Sequence, residues 1–144
     1  MSPIKEIRGS LFNTTCQAMV NTVGVMGAGL VARFKESYPA MFRAYRAACL
    51  SGILRVGTLM VYPAGERVII NFPTKRHYRE PAQIEHIQTG LQHFSLHYKT
   101  WGIQSAAFPA LGCGLGGLSW SVVRPVMVEA LSALDILIEI YSPF

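Results

Sequence analysis

Apolar positions along this chain of 144 residues recur with two periods, and the places where the period changes mark the elements. Ile4 to Arg8 reads as a first strand, with Gly9-Ser10 as its turn. Ala18 to Asn21 is a short buried strand. Gly29 to Ser37 has helical spacing, with Leu30, Val31 and Phe34 on one face and Pro39 just past its end. Ala40 to Leu50 continues with a second helix through Met41, Ala44, Tyr45 and Ala48. Thr58 to Tyr62 and Val68 to Phe72 are β-rich runs bracketing Pro63-Ala64-Gly65, so they form a hairpin or lie as neighbouring strands. Ile84, Ile87, Leu91, Phe94 and Tyr98 stripe a long helix. Ser105 to Pro109 is an apolar strand. Val123, Val126, Ala130, Leu131 and Leu134 stripe a last helix, with Pro125 expected in its first turn, since a deeper proline would break it. Ile136 to Tyr141 is the final strand. Strands alternating with helices predict an α/β sandwich around a mostly parallel sheet.

Two glycine loops interrupt this pattern where strand gives way to helix. Gly24-Val25-Met26-Gly27-Ala28-Gly29 follows the strand ending at Asn21, and Gly112-Cys113-Gly114-Leu115-Gly116-Gly117 follows Ser105–Pro109. Glycine lets backbone approach a ligand closely, and helix N-termini offer N–H groups to phosphate oxygens. Two such loops suggest a ligand with two phosphates held between them. Both fall beyond the carboxyl ends of strands, where ligands bind on such sheets.

Composition narrows the classes. No apolar run reaches the roughly 18 residues of a membrane helix, and the N-terminus lacks a signal peptide's apolar segment, so a cytoplasmic protein without a membrane partner is expected. One domain covering residues 1–144 fits the length. Cys16, Cys49 and Cys113 are odd in number and lack metal-type spacing, which reads as free thiols. The net charge of +5 permits a polyanionic partner such as nucleic acid, although the basic residues are spread along the chain. Asp135 is the sole aspartate and neither loop holds an acid, which argues against a carboxylate-held metal at the phosphates. No cofactor is implied.

Chemistry concentrates in Asn71-Phe72-Pro73-Thr74-Lys75-Arg76-His77-Tyr78-Arg79, which leaves the end of a strand. Lys75 could attack a sugar's anomeric carbon if burial or neighbouring cations lowered its pKa. Arg76 and Arg79 could then clamp anions as well. The competing reading is a solvated basic loop. Asn21 could hold ribose hydroxyls, or simply form a turn. The spacing G-x-x-G-x-G departs from the dinucleotide fingerprint, and no acid follows about 20 residues on, which disfavours a Rossmann dehydrogenase. His93 and His97, one helical turn apart, have no third metal ligand in view and read as a surface pair. Cys113 has no visible base partner and reads as a small packing residue. Phe12 and Trp120 could stack on a base, with core packing the plainer role.

Taken together, three segments resemble the macrodomains, modules that bind ADP-ribose, over nearly the whole chain. They are Val20-Asn21-Thr22-Val23-Gly24-Val25-Met26-Gly27, Asn71-Phe72-Pro73-Thr74-Lys75-Arg76-His77, and Leu111-Gly112-Cys113-Gly114-Leu115-Gly116-Gly117-Leu118 with Trp120. Their combination is similar to the DarG-like branch, which also includes the terminal ADP-ribose glycohydrolases. The resemblance implies a three-layer α/β/α macrodomain sandwich with a mixed, mostly parallel central sheet. It implies removal of ADP-ribose from thymidine bases of single-stranded DNA, with Lys75 as the catalytic residue at C1″. It implies an ADP-ribose site made by Ser10, Leu11, Asn21, Thr22, Gly24, Val25, Met26, Gly27, Gly29, Pro109, Leu111, Gly112, Cys113, Gly114, Leu115 and Gly116. Arg76, His77 and Arg79 would meet DNA, a DarT-like toxin would be the partner, and the chain would act as a monomer without a metal.

Three positions depart from that pattern. Ser10 stands where the family has an aspartate that reads adenine's amine. Gly116 stands where the eukaryotic glycohydrolase has its catalytic aspartate. Ala28 stands where the bacterial loop often has lysine. The alternatives are a reader that binds ADP-ribose without cleaving it, and a hydrolase of ADP-ribosylated protein carboxylates, O-acetyl-ADP-ribose or ADP-ribose-1″-phosphate.

Overall fold

A computed structural model describes residues 4–22, 30–75, 80–114 and 116–143, with Leu30 and Val31 described by backbone alone. Six strands form one sheet: β1 (Ile4–Ile7), β2 (Ala18–Thr22), β3 (Met60–Ala64), β4 (Arg67–Phe72), β5 (Ser105–Pro109) and β6 (Leu137–Tyr141). Their order is β1-β6-β5-β2-β4-β3. All pairings are parallel except β3–β4. The helices are α1 (Leu30–Ser37), α2 (Pro39–Leu50), α3 (Ile84–His97) and α4 (Trp120–Ser132).

Period-2 alternation sends each strand's side chains to two separate cores. Ala18, Val20, Ile70, Phe72, Ala106, Phe108, Ile138 and Ile140 meet Ile87, Leu91 and Phe94 of α3 and Val123, Met127 and Leu131 of α4. Met19, Ile69, Ala107 and Tyr141 point the other way, to Phe34 of α1 and Met41 and Tyr45 of α2. The central strands are therefore apolar on both faces, as buried parallel strands must be.

Most expected elements appear within a residue or two of their places. The open choice for the β-rich pair resolves as an antiparallel hairpin, Met60↔Asn71 to Ala64↔Arg67, turning at Gly65-Glu66. Pro63 lies inside β3 rather than in the turn. It is tolerated because β3 is the sheet's edge. Pro125 also lies deeper than expected, at the sixth residue of α4, which continues unbroken. Its missing N–H would have served Ser121, whose exposed position leaves that carbonyl to water.

Candidate functional site

Sheet order decides where the candidate residues meet. The chain leaves β2 for α1 and α2 on one face, and leaves β5 for α4 on the other. β2 and β5 are neighbours, paired at Ala18↔Ala106 and Met19↔Ala107 only. Beyond that point β2 stays with β4 as far as Thr22↔Phe72. The parting of β2 from β5 at a reversal of winding is where an α/β sheet opens a ligand crevice. Three candidate segments leave these strand ends: the first glycine loop from β2, the second from β5, and Lys75 from β4.

Asn21 and Asn71 lie side by side where β2 and β4 end. They are register partners at the ends of β2 and β4, and both are 0% exposed. Asn21 Nδ2 donates to Asn71 Oδ1 at 3.0 Å. Asn21 Oδ1 and Asn71 Nδ2, one acceptor and one donor, have no partner in the protein. An orphaned buried polar atom costs about 1–3 kcal/mol, so such a pair marks a place for a ligand or water that both gives and takes a hydrogen bond. Sequence reasoning found Asn21 and missed Asn71. The available signal was symmetry: each apolar run, Ala18-Met19-Val20 and Val68-Ile69-Ile70, ends in an asparagine.

The second loop is a tight turn, crowded at Gly112 and Gly116 and open at Gly114 and Gly117. Leu118 N–H donates to Gly112 O at 2.9 Å, Gly117 N–H to Gly114 O at 3.1 Å, and Cys113 N–H to Ala110 O at 3.2 Å. Among the described residues, the N–H groups of Gly112, Gly114 and Gly116 have no backbone acceptor, as an anion cradle requires. Gly116 is also built into the turn. A Cβ there would stand 2.4 Å from Gly112 O and 3.0 Å from Ala82 Cβ. An aspartate at this position is therefore incompatible with the turn. Gly116 O accepts from Ala82 N–H at 2.9 Å, which ties this loop to the segment between Lys75 and α3. Leu111 is fully buried beneath it and Pro109 half-buried at the end of β5. Cys113 is half-buried, and burial pushes its thiol up to about 11, so it is a packing residue and not a nucleophile at neutral pH.

Lys75 is half-buried, three residues beyond the end of β4. Arg76, His77 and Arg79, the first-loop residues Gly24, Val25, Met26, Gly27, Ala28 and Gly29, and Leu115 lie outside the described residues. Thr22 is half-buried at the end of β2.

At the far side of the sheet, β1 runs into Gly9-Ser10 and a 3-10 turn, Leu11–Asn13. Ser10 Oγ accepts from Phe12 N–H at 3.2 Å and from Arg33 Nη1 at 2.9 Å. Leu11 is buried, and Phe12 packs on Phe34 with ring centroids 4.7 Å apart. The turn is anchored from below by Glu139. Thr14 Oγ1 donates to Glu139 Oε1 at 2.5 Å and Tyr141 OH to the same oxygen at 2.9 Å. This anchor was also missed, although an acid inside the apolar run Leu137-Ile138-Glu139-Ile140-Tyr141 was a visible signal.

Two other candidates fall elsewhere. Trp120 is partly buried against the α3/α4 core. His93 is half-buried rather than on the surface: its Nδ1 accepts Leu59 N–H at 3.1 Å, and its ring packs at a tilt against that of His97, with centroids 4.5 Å apart. The described residues hold no group of three metal-ligating side chains, and none of their helices is long and apolar enough to cross a membrane.

Parallel strands that part beside a pair of buried amides and a glycine turn define an α/β module whose candidate site lies at its strand ends. The family model Macro domain matches residues 18–127, and the chain belongs to the macrodomain family. The DNA ADP-ribosyl glycohydrolase of Thermus aquaticus is 38% identical over 148 residues, covering 97% of this chain and 41% of the relative. The chain thus spans well under half of that relative's length. The macrodomain of Mycobacterium tuberculosis DarG matches with a TM-score of 0.95 and 38% identity over 100% of both chains. Thermosipho africanus DarTG in complex with ADP-ribose matches with a TM-score of 0.93 and 33% identity, over all of this chain and 42% of that one.

Proposed function

We propose that this chain is a macrodomain over residues 1–144 that hydrolyses ADP-ribose from thymidine bases of single-stranded DNA. One observation carries the reading: β4, which leads to Lys75, is register-paired with β2, which leads to the first glycine loop, through two buried asparagines that each keep an unsatisfied atom. That arrangement suits a ribose hydroxyl on the amides and an anomeric carbon near the lysine. In the reaction the C1″–N bond to thymidine breaks and water oxygen bonds to C1″. One water proton ends on the base nitrogen. Lys75 acts at C1″ as nucleophile or as electrostatic and proton-transfer catalyst.

The ADP-ribose contacts in this reading are Ser10, Leu11, Asn21, Thr22, Gly24, Val25, Met26, Gly27, Gly29, Pro109, Leu111, Gly112, Cys113, Gly114, Leu115 and Gly116, joined by Asn71. The two loops take the diphosphate, and Arg76, His77 and Arg79 meet the DNA backbone. Support comes from relatives described as DNA ADP-ribosyl glycohydrolase and as DarTG in complex with ADP-ribose. They also support a DarT-like toxin as the functional partner. Because Gly116 has no space for an acid, the reaction runs without a lysine–aspartate pair. The same feature favours one rival, a reader that binds and releases nothing.

Lys75→Ala separates these readings. The variant is expected to bind ADP-ribose as the wild type does, while release of ADP-ribose from modified single-stranded DNA falls by at least 100-fold, the scale of a lost catalytic group. Undiminished turnover in the variant would remove Lys75 from the mechanism. Binding without turnover in the wild type would make the protein a reader.

A further inference from the structure

Cations that are scattered in sequence are gathered by the fold. Residues 30–60, which build α1, α2 and the loop entering β3, carry Arg33, Lys35, Arg43, Arg46 and Arg55 against one acid, Glu36. All six are exposed. This stretch therefore supplies four of the chain's five net positive charges. Residues 84–136, which hold α3 and α4 on the opposite face, carry Lys99 and Arg124 against Glu85, Glu129 and Asp135. Both of those cations are ion-paired, Lys99 with Asp135 at 3.6 Å and Arg124 with Glu6 at 2.6 Å. Among the described residues, Arg43 and Arg46 make no ion pair. They stand three residues apart on the outer side of α2, where like charges repel. An anion between them turns that repulsion into attraction.

Sheet topology joins this face to the candidate site. Met60, the first residue of β3, pairs with Asn71 near the end of β4. The chain arriving from α2 therefore enters the sheet at the end from which Lys75 leaves it. Arg55 lies on that incoming loop. Leu50 and Ile53, 70% and 82% exposed, stand between Arg46 and Arg55. We infer that Arg43, Arg46, Leu50, Ile53 and Arg55 form a docking surface for single-stranded nucleic acid, leading toward the Lys75 end of the sheet. The guanidinium groups suit phosphates. The two apolar side chains suit unstacked base faces, which a single strand presents and a duplex hides in its stack. An anionic membrane would also attract the arginines, but two aliphatic side chains offer it little apolar area to bury. The link to catalysis rests on the glycohydrolase reading proposed above, whereas the surface itself does not.

The test uses the intact chain and an unmodified oligothymidine of about 15 nucleotides, read by fluorescence anisotropy over a salt series. The wild type is expected to bind it, with affinity falling as salt rises. Arg43→Ala combined with Arg46→Ala is expected to weaken binding at least tenfold at low salt. The slope of log affinity against log salt should shrink by about 1.4, the effect of two lost phosphate contacts on a single strand. Melting temperature and ADP-ribose affinity should stay at their wild-type values, because both positions are exposed. Leu50→Ser combined with Ile53→Ser should bring single-strand affinity down to that for a duplex of equal length. Wild-type affinity and slope in the arginine variant overturn the inference and leave the ADP-ribose reading intact. So does a wild type that ignores the oligonucleotide, binds duplex as tightly, or binds only phosphatidylserine vesicles. Arginine-dependent oligonucleotide binding without ADP-ribose binding supports the docking surface and removes the glycohydrolase reading.

Discussion

Asn21 donates to Asn71 across the β2–β4 ladder at 3.0 Å, and each amide keeps one buried atom without a partner. Truncating one member should behave differently from removing both. Asn71→Leu orphans the Asn21 amide completely and is expected to lower stability by about 1–3 kcal/mol. Asn21→Leu with Asn71→Leu removes both polar groups and should recover most of that loss. If the amides serve a ligand, ADP-ribose affinity stays low in both variants. Urea denaturation and calorimetry together check this. Affinity that recovers along with stability would assign the pair to the fold alone.

Gly116 is held where a Cβ would overlap the Gly112 carbonyl oxygen. Gly116→Ala should therefore distort the turn, cost about 1–3 kcal/mol as overpacking does, and weaken ADP-ribose binding at least tenfold. Gly116→Asp should behave no better and should not gain a lysine–aspartate mechanism. Thermal melts and binding isotherms of the two variants are the measurement. Faster turnover in Gly116→Asp would contradict the steric reading.

His93 carries a pH dependence of stability. Burial first, and the neighbouring His97 second, hold its pKa below the ordinary imidazole value. The folded state therefore favours the neutral ring, whose Nδ1 accepts Leu59 N–H. Between the folded and unfolded pKa values the unfolded chain binds more protons, so stability falls as pH falls. The contribution is complete above the ordinary value near 6.5 and is lost below it. The melting temperature should drop between pH 7.5 and pH 5, and His93→Gln should flatten the part of that slope due to this ring. An unchanged slope in the variant would reject the assignment.

All three thiols are raised by burial: Cys113 to about 11, and Cys16 and Cys49 above the usual range. Alkylation proceeds through the thiolate. Iodoacetamide at pH 7.5 should modify each of them at least tenfold more slowly than free cysteine, as read by mass spectrometry over time. Rapid labelling of Cys113 would mean that its loop opens in solution.

Much of the fold was legible because burial on both faces leaves a continuous apolar run, as in Ser105–Pro109, and one-sided burial leaves a stripe, as in α3. Pro63 and Pro125 were misplaced because their tolerance depends on solvent at an edge strand and at an exposed helical turn. Neighbourhood of that kind has no local signature. Lys75, Asn21 and the glycine turn stood out as residue types at strand ends. Asn71, Arg33 and Glu139 did not, since each acquires its role from a partner distant in the chain: 50 residues for Asn71, 23 for Arg33 and 125 for Glu139.

The amino-acid sequence by itself determined the alternation of strands and helices, the two glycine-rich segments and the family, because these follow from local periodicity and short motifs. Only the tertiary structure decided which strand ends lie side by side, where β2 parts from β5, and which amides and hydroxyls have already spent their hydrogen bonds. Adjacency in a parallel sheet is set by helices crossing over its faces. It is a long-range packing outcome that no local run of residues specifies.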